Sequence, residues 1–496
     1  MRPLIQEIQT VHTPESLIEN FQGEAGTVLL RTSQFDLPSA RYSFVAVRPF
    51  LTFRSFGSRS ETTHHAPRRE HHIQFGNPWR LLDALMARFE LLDEVDWPFP
   101  LGGAFGYWGY DLKNFTEPKL PRRAVNDLEL PDCHVGFHDS VVVFDHRLGR
   151  VTVISTGLQA DGSRSETRAE ERLRFWKERL TTPPGQEQNI SQRDRFASCD
   201  WADVHSNVSR EDFIRTVLRA QKYIRAGDIY QVNLSHRLTA GGGLGGWDLF
   251  RELSAISPAP FAAYLECDGG AQGAPFAIAS SSPEQFLRMS GASIATRPIK
   301  GTRPRDSDAT RDAQLAYELQ TSAKELAELV MITDLLRNDL GKICEYGSVQ
   351  TRELARLEKF AQVQHLVSTV EGCLRGDMTH FAALASSFPG GSVTGAPKFR
   401  AMEIIDELEP LSRGPYCGAI GYLGFNRESQ LSIAIRTAVC HRGAAHFNVG
   451  AGIVADSNPE AEYEETLAKA RGFLQALKLE ASMGGSIQSR FSSASR

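Results

Sequence analysis

Two candidate helices each carry a pair of glutamates three residues apart. The first pair is Glu325 and Glu328 in KELAELVMITDLLRND, and the second is Glu462 and Glu465 in NPEAEYEETLAKA. Residues three apart on a helix share a face, so each pair presents two carboxylates to one region of space. The first pair is followed by the apolar run 329–332. Carboxylates beside a buried face need a partner, because burying an unpaired charge is costly.

A divalent metal ion is one partner that this chemistry would suit. One glutamate from each helix, with waters and substrate oxygens, could complete an octahedron around Mg²⁺. Zn²⁺ fits less well, because no histidine or cysteine accompanies either pair. The alternative is that the glutamates are solvated or form ion pairs with the basic residues Lys324, Arg337, Lys342 or Lys469. For either pair taken alone, that alternative is the simpler interpretation.

Three glycine-bearing segments follow the first helix: FPGGSVTGAPK at 388–398, YCGAIGYLG at 416–424 and NVGAGIVADSNPEAEYEET at 448–466. The first lacks the residue order of a P-loop, yet its backbone N–H groups could still bind a carboxylate. Gly450 and Gly452 lie shortly before the second glutamate pair. Glycine at these positions permits either close backbone approach to a ligand or a tight turn.

Arg436 stands in the otherwise apolar stretch SIAIRT, which we predict to be part of a strand over 429–439. Such an arginine either forms an internal ion pair or binds an anion through its forked donors. A site that combines a divalent ion, backbone N–H donors and an inward arginine would suit a small polycarboxylate.

The composition argues against several other classes of function. With 55 basic and 60 acidic residues, a net charge of -5 and no long run of either sign, the chain offers no basic face for nucleic acid. No apolar stretch has transmembrane length, and the N-terminus lacks the pattern of a signal or transit peptide, so we expect a cytoplasmic protein without membrane partners. The cysteines include no CxxC pair, which indicates reduced thiols rather than a disulfide framework.

The length of 496 residues allows several domains. Residues 1–182 are predicted to form a strand-rich N-terminal domain, 183–204 a connection, and 205–480 a catalytic domain. The Ser/Gly-rich tail 481–496 is predicted to be disordered. The polar segment 55–72 contains four histidines at irregular spacing, and we expect an exposed loop there rather than a metal site.

Helices and strands alternate along the second half of the chain. Apolar periodicity and end signals predict helices at 165–180, 209–226, 247–256, 310–341, 379–387, 397–408 and 459–477. Strands adjacent in sequence, such as 417–425 and 429–439 across a short turn, indicate antiparallel pairing. The predicted fold class is therefore α+β.

These segments together resemble the chorismate-utilising enzymes, which include the large subunits of anthranilate and aminodeoxychorismate synthases, isochorismate synthases and salicylate synthases. The matching stretches are GDIYQVNLS, SSSPEQF, RPIKGTRPR, SAKELAELVMITDLLRNDLGK, QHLVSTVEG, FPGGSVTGAPK, GAIGYLGFN, SIAIRT and GAGIVADSNPEAEYEET. They cover residues 205–480 in consistent order, whereas the N-terminal part matches less sharply, at 41–49 and 102–112. The resemblance implies large antiparallel β-sheets packed as a sandwich core, with helices on the outside.

The resemblance also implies roles for individual residues. Glu328 and Glu465 would hold magnesium, with Glu325 and Glu462 supporting the metal and its waters, and the magnesium would bind the ring carboxylate of chorismate. Glu284 would act as general acid/base and protonate the departing C4 hydroxyl, because hydroxide is a poor leaving group. The implied substrate-binding residues are Arg436, Tyr416, Gly450, Gly452, His365, Thr394, Lys469 and Gln231.

Two positions distinguish members of the family. Gln231 stands where isochorismate and salicylate synthases carry a lysine that activates water, so an amine becomes the better-supported nucleophile. Lys300 stands in PIKGT where anthranilate synthases usually read PIAGT. It implies the branch that aminates chorismate at C4 through a covalent Lys300 intermediate, yielding 4-amino-4-deoxychorismate for 4-aminobenzoate and folate synthesis. One alternative is amination at C2 with loss of pyruvate, as in tryptophan biosynthesis. Another is a non-catalytic subunit that binds a glutaminase or a regulatory ligand.

The resemblance finally implies partners and an effector. The chain shows no glutaminase signature, so a separate glutaminase subunit would supply ammonia, and an aminodeoxychorismate lyase would act on the product. The N-terminal sheet of this family often holds a tryptophan pocket, for which the candidate residues are Ser33, Arg41, Tyr42 and Ser43. Residues 29–33 read LLRTS where anthranilate synthases typically carry LLES, so a purely structural role is the alternative.

Overall fold

The computed structural model describes residues 2–33, 40–65, 69–94, 96–183, 204–242, 245–270, 273–360 and 363–477. Nearly all of the predicted connection 183–204, and all of the predicted tail 481–496, therefore lie outside the described residues. The strands form two large sheets whose pairings are antiparallel, and the helices pack around them. The predicted α+β fold with large antiparallel sheets is confirmed.

The first sheet contains twelve strands from the described ranges, numbered in chain order through the protein. Eleven follow one another across the sheet, and a twelfth, β20 (Gly395–Ala396), pairs with β12. Their spatial order is β1 (Leu4–Glu7), β10 (Arg150–Ser155), β9 (Ser140–Asp145), β3 (Tyr42–Ala46), β2 (Val28–Arg31), β13 (Phe261–Gly269), β14 (Gly273–Ser282), β23 (Thr437–His441), β24 (Ala444–Ile453), β12 (Gln231–Gly241) and β11 (Val204–Ser206).

The second sheet also contains twelve strands from the described ranges, of which β18 (Gln350–Lys359) lies off the main path and pairs with β19. The spatial order of the others is β17 (Ile299–Pro304), β19 (Val363–Cys373), β16 (Ser293–Arg297), β15 (Gln285–Ser290), β22 (Glu428–Ile433), β21 (Ala419–Gly424), β7 (Gly103–Trp108), β8 (Cys133–His138), β4 (Leu51–Phe56), β5 (Arg59–His64) and β6 (Glu70–Phe75).

The α-helices pack against strands of both sheets. In chain order they are α1 (Pro14–Ile18), α2 (Pro78–Met86), α3 (Lys113–Thr116), α4 (Glu166–Thr181), α5 (Arg210–Arg225), α6 (Gly246–Ile256), α7 (Ala309–Thr321), α8 (Ala323–Gly341), α9 (His380–Ser387), α10 (Lys398–Leu408) and α11 (Pro459–Ala476). Among these helices, none has the length and apolar character needed to cross a bilayer.

Both sheets draw strands from both predicted domains. In the first sheet β2 pairs with β13, and in the second β7 pairs with β21. The core lies between the sheets, as shown by the rings of Phe44 on β3 and Tyr422 on β21, whose centroids are 5.0 Å apart. On the outer face of the first sheet, Phe473 of α11 stacks on Phe447 of β24 at 4.5 Å. The segments 1–182 and 205–480 thus build one shared pair of sheets.

Three predicted elements differ from the structure. The helix predicted over 310–341 is two helices, because Ser322 leaves the helical conformation and its hydroxyl caps α8 by accepting from the N–H of Glu325. The strand predicted over 429–439 is also two, since β22 and β23 belong to different sheets. Residues 55–72, predicted to be a loop, include the end of β4, all of β5 and the start of β6. This polar edge hairpin lacks the apolar alternation by which a strand is recognised in sequence.

Candidate active site

Lys300 extends from β17 into a group of carboxylates. Its Nζ lies 3.5 Å from Oε2 of Glu328 on α8. Its positive charge also favours the ionised forms of Glu284 and Glu465. On the side of β24, a Cβ added at Gly452 would lie 3.7 Å from the same Nζ. Strand β17, helix α8 and strand β24 therefore converge on one amino group.

A bulge in β17 sets the direction of the Lys300 side chain. Lys300 pairs with Leu366 on β19, but Thr302 pairs with His365, so the register shifts at Gly301. Gly301 has a φ of +70°, a conformation that glycine adopts without strain. Lys300 consequently shares the face of Leu366, which packs with α8, while Thr302 shares the face of His365 and contacts its Nδ1 at 3.0 Å.

Glu284 lies between β14 and β15 and is only 6% exposed. Burial raises the pKa of its carboxyl group to about 7, although the Ser392 hydroxyl, the Lys300 charge and the Ile299 N–H each lower it. A carboxyl group with this pKa is partly protonated near neutral pH and can donate a proton to a leaving group. The backbone carbonyl of Glu284 accepts from the N–H of Ile433 at 3.1 Å, which joins this segment to β22.

The first glutamate pair lies in the opening turns of α8. Glu325 is close to Arg303, with 3.5 Å between Oε1 and Nη1. Glu328 lies between Lys300 and the more exposed Lys324, which is 4.0 Å away. Both glutamates therefore have basic neighbours, and of the residues that the sequence suggested as ion-pair partners, Lys324 is one that the structure brings close.

The second glutamate pair lies in the opening turns of α11, which begins after the N-cap Asn458 as expected. Glu462 is buried and accepts a hydrogen bond from the Ser457 hydroxyl at 2.6 Å. Burial raises the pKa of Glu462, as does the negative charge of Glu465. Glu465 lies 2.8 Å from the ammonium of Lys469, which also donates to the carbonyl of Gly450 at 2.8 Å.

Gly450 and Gly452 leave room for side chains from neighbouring segments. A Cβ at Gly450 would lie 2.9 Å from the Tyr416 hydroxyl, and one at Gly452 would lie 2.4 Å from Nε2 of Gln231. Gln231 is buried, and within the described ranges its Oε1 has no hydrogen-bond partner. A buried acceptor without a partner is costly, so this oxygen is suited to a donor on a ligand or water.

Arg436 was predicted to lie within a strand, and this prediction is wrong. It occupies a bend between β22 and β23 with a φ of +49°, where the chain passes from the second sheet to the first. The described part of the chain places no carboxylate within 4.0 Å of its guanidinium, and burial lowers the pKa of Arg436. The described residues thus offer Arg436 no internal ion pair, and anion binding by this residue stays a prediction.

The side chains of His365, on β19, and of Thr394, in the glycine-rich segment 388–398, are both buried. Burial lowers the pKa of His365 to about 4, so the ring is neutral at pH values near 7. Its Nδ1 lies 3.2 Å from the carbonyl of Gly301, which can only accept, so we assign the proton to Nδ1 and an acceptor lone pair to Nε2. The Thr394 hydroxyl donates within its own loop, to the carbonyl of Gly390 or Gly391.

A cleft between the sheets lies beside the candidate effector residues. Tyr42 lines that cleft with residues of β2, β13, β21 and β22. Arg41 forms an ion pair with Asp145 and lies over the Tyr42 ring, and the Ser43 hydroxyl contacts the His146 ring at 2.7 Å. Ser33 donates to the carbonyl of Ala259. The effector role of these residues stays a prediction.

Several residues at the site were not identified from the sequence. Ser392 and Ser457 hydrogen-bond to Glu284 and Glu462, and Arg303 lies beside Glu325. Ser392 falls within the glycine-rich segment 388–398, which is the signal that could have identified it. Ser457 lies in the segment 448–466 and Arg303 in the stretch RPIKGTRPR, but neither residue type by itself marks a partner of a glutamate.

The chain is similar to known proteins along most of its length. A sequence profile of chorismate binding enzymes matches residues 38–475. Anthranilate synthase component 1 of Acetivibrio thermocellus is 38% identical over 479 residues, which cover 96% of this chain and 95% of the relative. The chain belongs to the chorismate-binding enzyme family. Another relative of this chorismate-binding enzyme, aminodeoxychorismate synthase component 1 of Escherichia coli (strain K12), is also 38% identical, over 91% of this chain and 93% of the relative.

Solved structures of related proteins share the fold. The crystal structure of anthranilate synthase component I from Streptococcus pneumoniae TIGR4 matches with a TM-score of 0.74 and 31% identity, over 89% of this chain and 94% of that one. The menaquinone-specific isochorismate synthase of Escherichia coli matches with a TM-score of 0.71 at 17% identity, which supports the fold alone. These relatives are named for several different reactions. Membership of the family therefore does not determine which ring carbon is attacked.

The glutamates of this chorismate-binding enzyme fit a magnesium ion. Glu462 and Glu465 share the opening turns of α11, and the negative charge of Glu465 raises the pKa of Glu462, while Lys469 forms an ion pair with Glu465. Across the described ranges, no three of the four glutamates bring carboxylate oxygens within 4.8 Å of one another. One glutamate from each helix, with water, remains a suitable ligand set, because Mg²⁺ is commonly bound by one or two carboxylates. The assignment of the ion to Glu328 and Glu465 stays a prediction.

Proposed function

We propose that this chain aminates chorismate at C4 with ammonia, in the cytoplasm, to give 4-amino-4-deoxychorismate for 4-aminobenzoate and folate synthesis. The position of Lys300 carries the proposal. Its amino group reaches the same space as Glu284 and the metal-binding glutamates, and Gly452 leaves room for it. If residue 300 were the alanine of a PIAGT sequence, its side chain would supply no nucleophile. The neutral amide of Gln231 supplies no base for water activation.

The side chains of the enzyme account for each bond and proton of the reaction. The free amine of Lys300 bonds to C2 as both ring double bonds shift, from C1–C2 and C5–C6 to C1–C6 and C4–C5, and the C4–O bond breaks. Glu284 protonates the departing hydroxyl, which leaves as water. Ammonia then bonds to C4, both double bonds shift back to C5–C6 and C1–C2, and the C2–N bond to Lys300 breaks. The carboxylate of Glu284 takes the proton that the incoming ammonia loses, and the enolpyruvyl ether stays intact.

The remaining groups support binding and orientation of the substrate. The guanidinium of Arg436 suits a carboxylate of chorismate, because no described acidic residue pairs with it. His365 offers an acceptor at Nε2, and the Tyr416 hydroxyl lies beside Gly450. When bound, magnesium would neutralise the ring carboxylate of the substrate. The non-catalytic alternative leaves the buried, protonatable Glu284 beside Lys300 without a purpose.

We also infer that the enzyme works with a glutaminase subunit. Relatives with 38% identity are named component 1 of anthranilate or aminodeoxychorismate synthases, which indicates a second component. That subunit would supply ammonia from glutamine, and a separate aminodeoxychorismate lyase would convert the product to 4-aminobenzoate.

The test is a product assay with the purified full chain, chorismate, magnesium and an ammonium salt, with and without added aminodeoxychorismate lyase. We expect 4-aminobenzoate only when the lyase is present, identified by mass and fluorescence. Anthranilate formed without the lyase would show attack at C2 and would overturn the proposal. This outcome has to be tested, because one of the relatives with 38% identity is an anthranilate synthase component.

Two lysine variants separate the nucleophile from a counter-ion. Lys300→Met should abolish product formation, and a Lys300-linked adduct of chorismate should be detected by peptide mass mapping when ammonia is omitted. Lys324→Met is the matched control, because Lys324 also lies near Glu328 but is 62% exposed at its side chain. We expect this control to retain activity within a few-fold. Full activity of Lys300→Met would contradict the covalent mechanism.

A further inference from the structure

The hairpin formed by β5 and β6 lies at the opposite edge of the second sheet from β17. In its register His64 is opposite Glu70, and Thr62 is opposite His72. Side chains alternate between the faces of a strand, and residues directly opposite on antiparallel strands share a face. His64, Glu70 and His72 therefore lie on one face, although their spacing in the sequence looks irregular.

The three side chains come close enough to share one ion. His72 Nε2 lies 3.5 Å from Glu70 Oε2, and the rings of His64 and His72 have centroids 5.2 Å apart. One nitrogen or oxygen atom of each residue lies within 4.8 Å of those of the other two. The side chains of Glu70 and His72 are more than half exposed, so an ion from solution can reach them.

The charges around the cluster come from one acidic and one basic side chain. The carboxylate of Glu70 contributes one negative charge to the same face. The charge of Arg88 also reaches His64 and opposes a cation, but Glu70 counteracts it.

We propose that His64, Glu70 and His72 form a second metal site that binds a divalent transition ion such as Zn²⁺. Two imidazole nitrogens and one carboxylate oxygen supply three ligands of a tetrahedral centre, and water supplies the fourth. Imidazole ligands favour Zn²⁺, whereas Mg²⁺ prefers oxygen ligands. This site is therefore chemically distinct from the one proposed at Glu328 and Glu465. The bound ion links β5 to the exposed edge strand β6.

The test is a zinc titration of the metal-free full chain, read by competition with a chromophoric chelator in the presence of excess Mg²⁺. We expect a site of micromolar or tighter dissociation constant, weakened at least tenfold by His64→Ala, by His72→Ala and by Glu70→Gln. His71→Ala is the matched control. His71 is the next residue on β6, faces the other side and hydrogen-bonds to Thr63 at 3.2 Å, so its removal should leave zinc binding unchanged.

Thermal melts give a second readout that separates binding from folding. Without zinc, wild type and the variants should melt at the same temperature, because none of these side chains lies in the core. Zinc should raise the melting temperature of wild type and of His71→Ala, but not that of His64→Ala or His72→Ala. Wild-type protein without micromolar zinc binding, or equal losses in His71→Ala and His72→Ala, would overturn the proposal.

Discussion

The buried ion pair between Glu409 and Arg413 holds several segments of the candidate site together. Arg413 is 4% exposed and donates two hydrogen bonds to the Glu409 carboxylate, at 2.8 and 2.7 Å. It also donates to the carbonyls of Val393 and Asn233, at 3.0 and 2.7 Å. Glu409 accepts in turn from the N–H of Ser235 at 2.8 Å. The pair thus joins the glycine-rich loop to β12, which begins at the proposed substrate-binding glutamine.

Removing one partner leaves the other charge buried. Arg413→Met would strand the Glu409 carboxylate, and Glu409→Gln would strand the guanidinium, so each should lower the free energy of unfolding by about 3–5 kcal/mol. The double variant should cost less than the sum of the two, with a coupling energy of about 2–3 kcal/mol. In contrast, Arg311→Met breaks an exposed pair with Glu318 and should cost less than about 1 kcal/mol.

Urea denaturation of the four proteins of this cycle, followed by fluorescence and by circular dichroism, measures these differences. Because the same arginine positions the loop that contains Thr394, Arg413→Met should also raise the KM for chorismate more than it lowers kcat. A loss of less than about 1 kcal/mol for Arg413→Met would refute the reasoning, because an exposed ion pair contributes no more than that. Strict additivity of the two single variants would refute it as well.

Three further predictions concern groups at the site. Burial raises the pKa of Glu284 to about 7 from its usual 4.5, so the folded protein keeps a proton that the unfolded chain loses. Relative to Glu284→Gln, the wild type should therefore lose about 3 kcal/mol of unfolding free energy as pH rises from about 4.5 to about 7. If melting experiments show the same pH dependence of stability for both proteins, the carboxyl group is not buried. Gly452→Ala should fold normally yet lower kcat/KM about 10²-fold, because the added Cβ would displace the side chain of Gln231. Unchanged steady-state kinetics of this variant would contradict that contact. Arg436→Gln should raise the KM for chorismate about 10- to 100-fold with a smaller change in kcat, and an unaltered KM would remove it from the carboxylate site.

Features that depend on neighbours in sequence were predictable. Helix α11 begins at Pro459 after the N-cap Asn458, as the local residues indicate, and the predicted helix at 209–226 is α5 with only small differences at its ends. The hairpin of β21 and β22 was predicted from two adjacent strands and a turn. These signals arise within a few residues of chain, so no knowledge of the fold is needed to read them.

Features that depend on long-range pairing were not predictable in the same way. The sequence around Arg436 looks like one strand, but the chain turns there to join a different sheet. The segment 55–72 looks like a loop, because β6 is exposed along its length and the buried positions of β5, such as Ser60, Glu61 and Thr63, are polar. In both cases the tertiary neighbours decide the conformation, and those neighbours lie far away in the sequence.

Lys300 shows how the two kinds of information combine at the site. Its identity can be read from PIKGT, and a regular strand would direct residues 300 and 302 to the same face. The bulge at Gly301 separates them, because Lys300 pairs with Leu366 while Thr302 pairs with His365. Only this separation lets the lysine face Glu328 on α8 while Thr302 contacts the histidine. A Cβ added at position 301 would lie only 2.6 Å from the side chain of Leu319. The packing that directs Lys300 therefore also requires the glycine that forms the bulge.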